Sequence, residues 1–100
     1  MTMDRYMREQ ARLVILKAIA AEIDERLNSE LLRRELERFA IARPIEWVHT
    51  ELAWLAEMGA VTLVDAGTVK VASLTEYGHR HLRREVAIEG IQRPRRPVET

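Results

Sequence analysis

The hydrophobic period of this chain changes at Gly59, and that change constrains its fold more than any other feature. Upstream, apolar residues recur at the three- and four-residue spacing of helices. Downstream, Val61-Thr62-Leu63-Val64 and Val69-Lys70-Val71-Ala72 flank Asp65-Ala66-Gly67-Thr68, which reads as a β-hairpin with a short turn. The chain must therefore pack helices first and a hairpin second.

Three helices are predicted before the switch. Thr2 to Ala21 has no Gly or Pro, and from Leu13 to Ala21 it is apolar in every direction except at Lys17. One stripe cannot account for that, so two buried faces are expected: either the helix is central to its own core, or it is shared with a second copy through Tyr6, Met7, Ala11 and Ile15. Ser29 is the expected N-cap of a second helix to about Phe39, with Leu32, Leu36 and Phe39 inward and Arg33, Arg34, Glu37 and Arg38 in water. After a tight connection, Pro44 is placed at the first position of a third helix, which runs to Met58 and is closed by Gly59. Its core stripe is Ile45, Val48, Leu52 and Leu55. Two helices joined by four residues make a helix-turn-helix candidate.

Behind the hairpin, Thr75 is a plausible N-cap for a fourth helix through His79 to Val86, with Tyr77, Leu82 and Val86 inward. GIQRPRRPVET then reads as an extended tail. The expected organisation is one domain over 1–88 and a basic, Pro/Arg-rich tail over 89–100. The fold class is mainly α with a small β-hairpin. At 100 residues such a core is modest, and a partner subunit would help cover it.

Composition closes off several functions. There is no cysteine, which excludes disulfides, thiolate metal sites and a cysteine nucleophile, and fits a reducing cytoplasm, where the protein is expected. Asp4, Arg5, Arg8 and Glu9 in the first turns are unlike a signal peptide, and no apolar run approaches the roughly 20 residues of a membrane span. His79 and His81 fall on different helix faces, Ser29 and Ser73 lie in no nucleophile motif, and no glycine-rich phosphate loop occurs. No enzyme activity, cofactor or metal is expected.

The helix, helix, turn, helix, hairpin, helix order resembles winged helix-turn-helix domains, especially the small bacterial arsenic-repressor and multiple-antibiotic-resistance-repressor families. Val48 to Val61 resembles their third helix entering the wing, with its Leu-x-x-Leu-x-x-x-Gly-x-Val frame. Leu74-Thr75-Glu76-Tyr77-Gly78 resembles the Leu-Thr-x-x-Gly that follows the wing. The likeness covers about residues 8 to 86, and its motifs are packing motifs. The whole sequence is also similar to small proteins of Mu-like bacteriophages and prophages, which implies a role in gene control or in particle assembly and DNA packaging. Fold analogy does not choose among these.

The resemblance implies a dimeric regulator that binds duplex DNA with its third helix in the major groove. Charge placement fits this poorly. The chain has no net charge; residues 1 to 78 carry ten basic and thirteen acidic groups, whereas residues 79 to 100 carry six and three. The third helix holds Glu46, Glu51 and Glu57 and no Arg or Lys, so its carboxylates would oppose phosphate. DNA contacts would fall to Arg33, Arg34, Arg38, Arg43, His49, Thr50 and Lys70, helped by Arg93, Arg95 and Arg96 of the tail. The arginines of the second helix have a plainer reading as solvated charges paired to nearby glutamates. Trp47 and Trp54, seven residues apart with Thr50 between them, suggest the alternative of a protein-docking face. They could equally be ordinary core residues.

Overall fold

Eighteen residues without a breaker, Met3–Ala20, form α1, whose N-cap Thr2 accepts a hydrogen bond from the Arg5 amide at 3.3 Å. The computed structural model describes residues 2–96. Glu25 takes a left-handed φ of 56° and turns the chain into β1 (Arg26–Asn28). There follow α2 (Ser29–Glu37), α3 (Ile45–Glu57), β2 (Val61–Ala66), β3 (Val69–Leu74) and α4 (Glu76–Leu82). Among the described residues this is a compact α+β domain of four helices and one antiparallel three-stranded sheet, in the order β1-β3-β2.

The strand β1 has no counterpart in the sequence reading. Three residues cannot display a period, and Arg26-Leu27-Asn28 becomes a strand because β3 offers it an edge, with Leu27 opposite Ala72. Asn28, and not Ser29, caps α2: its side chain accepts from the Leu31 amide at 2.9 Å. Pro44 likewise sits one place earlier than expected, at the N-cap of α3. The hairpin turn is tighter than expected, because Asp65 and Ala66 remain paired with Lys70 and Val69 and leave a loop of Gly67 and Thr68. Phe39, expected inward, is half exposed: α2 stops at Glu37, and Ala40 at φ 62° redirects the chain. Tyr77, also expected inward, is 41% exposed, and α4 ends at Leu82, four residues short of the expected Val86, where Arg84 at φ 62° redirects the chain; Leu82 and Val86 are half buried.

The all-round apolarity of α1 is resolved within one chain. Ala11, Leu13, Val14, Ile15, Leu16 and Ile19 are all buried. Ala11 and Ile15 are fully enclosed, so they cannot meet a second copy, and only Tyr6 and Met7 of the expected dimer contacts remain reachable. The second cover is Ile88, at the expected end of the domain, together with the segment from 89 expected to be a tail. Residues 88–96 lack regular structure, yet Ile88, Ile91 and Pro94 are buried. This strap is held by polar contacts: the Gln92 amide donates to the Glu9 carbonyl at 3.1 Å, Arg12 Nη1 donates to the Gly90 carbonyl at 2.9 Å, and Arg84 donates to the Pro94 carbonyl. His81, wholly buried, accepts from the Ile88 amide at Nδ1, and its Nε2 lies 3.0 Å from the Gln92 carbonyl, which fixes the proton on Nε2. Residues 97–100 of the expected tail, like Met1, lie outside the described residues.

The Leu-Thr-x-x-Gly motif gains a physical meaning. Thr75 caps α4 by accepting from the Gly78 amide at 3.0 Å and donates its hydroxyl to the Gly59 carbonyl at 2.6 Å. Gly78 lets α4 sit directly on the Ala60 carbonyl, where a Cβ would collide with backbone. Gly78→Ala is therefore expected to cost about 1–3 kcal/mol. Urea unfolding checks it: a lowered midpoint at unchanged slope is expected, and an unmoved midpoint contradicts the contact.

Candidate functional site

Three faces of α3 have three different fates. Val48, Leu52 and Leu55 are fully buried in the core. The adjoining face, Trp47, Glu51 and Trp54, turns toward α1. Glu51 is buried and receives Arg12 Nε at 2.7 Å and Arg8 Nη1 at 3.3 Å. Arg12 also stacks on Trp54, with its guanidinium carbon 3.8 Å from the ring centroid, and Arg8 and Arg43 each lie 5.8 Å from the Trp47 ring. The glycine at 90, with φ 96°, lets the strap pass over Trp54, since a Cβ there would meet the ring at 2.6 Å.

The tryptophans are thus half buried against the core and engaged by arginines, and do not form a free apolar patch. Glu51 is likewise not part of a solvent-facing acidic surface. The sequence held a signal for this that was missed. Glu51 lies three residues after Val48 and four before Leu55, inside the inward stripe, and Arg8 and Arg12 stand four apart on a helix that is otherwise apolar there.

What remains outward on α3 is Glu46, Thr50, Ala53 and Glu57. Thr50 returns its hydroxyl to the Glu46 carbonyl at 3.0 Å. Beside this face, Asp65 at the end of β2 binds Lys70 Nζ at 2.7 Å. That hydrogen bond, and the lysine charge with it, hold the exposed Asp65 carboxyl below the usual aspartate range. A carboxylate shifted this way favours the folded hairpin above its ordinary titration range, and the gain is lost as pH falls through the lowered value. Lys70→Met should move Asp65 titration upward in an NMR pH series on carboxyl carbons; identical curves in the two proteins would remove the pair.

The remaining expected DNA contacts are scattered. His49 does not face outward freely: its Nε2 lies 2.8 Å from the hydroxyl of Ser29, which is fully buried and also accepts the Lys70 amide at 3.0 Å. This joins α2, α3 and β3. The enclosed, already accepting Ser29 hydroxyl is a structural tie and not an exposed nucleophile. Arg33 is held by Glu30 through two bonds of 2.6 and 2.9 Å and by Glu37 at 3.2 Å. The Arg33 hydrogen bond lowers the Glu30 carboxyl below its ordinary range, and the same pairing raises Arg33. Arg38 pairs with Glu35 at 3.1 Å, and Arg34 approaches Glu30 at 3.7 Å, both largely in water. Arg43 is exposed against the Met7 sulfur, and Arg93, Arg95 and Arg96 are exposed on the strap.

No family model, curated protein or solved structure matches the chain. What the site can do must therefore be read from its geometry. Among the described residues, no cluster of three or more His, Asp or Glu side chains is placed to hold a metal, and no helix is long and apolar enough to cross a membrane. Among the described residues, the outward surface of α3 and the adjoining hairpin end is acidic: Glu46, Glu57 and Asp65 stand there with Lys70, which Asp65 already engages.

Proposed function

We propose that the chain is a winged helix-turn-helix module, with α2 and α3 as the helix pair and β2–β3 as the wing, that docks a basic segment of a protein partner. The element order and the third strand β1 beside the wing support the fold reading. The observation that carries the docking reading is the outward face of α3, where Glu46, Thr50, Ala53 and Glu57 present carboxylates and no cation. Phosphate would be repelled from that surface, whereas lysine or arginine side chains would be steered to it. A lysine-rich peptide is expected to bind the native protein weakly and in a salt-sensitive way. Replacing Glu46 and Glu57 together by lysine should abolish that binding while leaving the fold intact; unchanged affinity would sink the reading.

A second reading is favoured by a separate observation. Arg43, at the entrance to α3, and the strap arginines Arg93, Arg95 and Arg96 are exposed, and Tyr6 and Met7 lie exposed or half exposed near the start of α1. Here the protein binds duplex DNA as a dimer joined through Tyr6 and Met7. It is then a transcription regulator of the kind its resemblance implies, holding phosphates with these arginines. This reading requires a dimer by sedimentation and an affinity that falls steeply with salt.

A further inference from the structure

A groove lies on the side of α1 turned away from α3. At 100° per residue, Gln10, Leu13, Val14, Lys17 and Ala21 fall roughly opposite Arg8, Arg12 and Ile15. Leu13, Val14, Ala18, Ala21 and Phe39 give this groove of about 440 Å³ an apolar floor, and Lys17, Arg93 and Arg95 stand along it. A second depression continues it through the shared Ala18, Ala21 and Glu35 to Leu27 and Leu31, with Arg34 and Arg38 at its border.

Two properties distinguish this surface. Leu31 and Phe39 are each about half exposed although both are large and apolar. Five basic side chains border the combined groove against two acidic ones, Glu22 and Glu35, in a chain with no net charge. Arg38 touches Glu35 and Arg34 approaches Glu30, but their side chains remain 76% and 68% exposed, and such surface pairs exchange partners at little cost.

We infer that this groove is a second docking site, whose occupant is a short amphipathic helix of a partner protein with an apolar face flanked by Asp or Glu. From Gln10 to Ala21 the groove follows α1 for about 17 Å, the length of about three helical turns. A helix of that length sets two or three apolar anchors at three- and four-residue spacing on the floor, and its acidic flanks meet the arginines. The charge disfavours the simplest competitor: a two-fold contact with a second copy would set this mainly basic border against the same mainly basic border. Duplex DNA would satisfy the arginines but has no apolar surface for Leu31 and Phe39. The site is independent of the α3–wing face, which has the opposite charge.

The test uses two synthetic peptides of about 14 residues with one shared leucine and phenylalanine face, one flanked by glutamate and the other by lysine. The native protein is titrated with each, and with a mixed-sequence DNA duplex, following amide NMR shifts at Ala18, Ala21 and Phe39. The glutamate peptide is expected to move these residues, to weaken with salt, and to bind at least about tenfold more tightly than the lysine peptide. A variant carrying Arg34→Glu, Arg38→Glu and Arg95→Glu should lose at least about tenfold in affinity for it. Should that variant fold poorly, Phe39→Ala alone should weaken binding. Equal shifts of these residues with both peptides, none with either, shifts confined to other surfaces, or stronger shifts of these residues with the duplex would each overturn the inference.

Discussion

Glu51→Ala should destabilise the protein by about 3–5 kcal/mol, because it removes the carboxylate that pairs with Arg12 and leaves a guanidinium with an 11% exposed side chain between α1 and α3. Arg8, more exposed and also bonded to Asp4, can turn to water and contributes less. Glu51→Gln keeps a hydrogen-bond acceptor and should cost less than alanine. Replacing both Arg12 and Glu51 by methionine removes the charge and its partner together, and should recover much of the loss. Denaturant unfolding followed by tryptophan fluorescence reports this directly, since Arg12 stacks on Trp54. A loss below about 1 kcal/mol for Glu51→Ala would mean that the pair is solvated and does not organise the α1–α3 contact.

Deleting residues 88–100 is the second large effect. It withdraws Ile88 and Ile91 from the core, each worth about 1.5–3 kcal/mol of burial, against which stands the entropy of ordering the strap. It also strands both nitrogens of the buried His81 and takes a hydrogen bond from Arg12. A net loss of about 2–4 kcal/mol is expected, a large share of what a domain of this size possesses. Full stability of the shortened chain would make the strap an ornament and reopen the sides of α1 to another cover.

These two predictions rest on features that differ in how legible they are in the sequence. The helices, the hairpin and their order follow from local period and capping, and Gly59, Pro44 and Thr75 mark boundaries within a residue or so. The strand β1 could not be read, since its three residues become a strand only where β3 supplies partners. The strap is not legible in the sequence for a related reason. Two prolines and three arginines in eleven residues have the composition of a solvated tail, yet Ile91 and Pro94 within it are buried, and Gly90 and Gln92 bond to Arg12 and Glu9 of α1.

The candidate site shows the same divide. The shortage of cations on α3 was visible in its sequence, and the outward Glu46, Thr50, Ala53 and Glu57 carry it into three dimensions. Which polar residues face inward was not visible, because it depends on residues twenty to some forty positions away: Arg8 and Arg12 claim Glu51, and Ser29 claims His49. Trp47 and Trp54 looked like a docking pair only while their arginine neighbours were unknown.

The measurement that bears most directly on the proposed function is a pair of amide NMR titrations of the native protein at low salt, one with a mixed-sequence DNA duplex and one with a lysine-rich peptide. The acidic α3–wing face predicts that the peptide shifts Glu46, Thr50, Ala53, Glu57 and Asp65, and that the duplex leaves those residues unmoved. Salt-sensitive shifts of the same residues with the duplex, and none with the peptide, would contradict it and establish the DNA reading in its place.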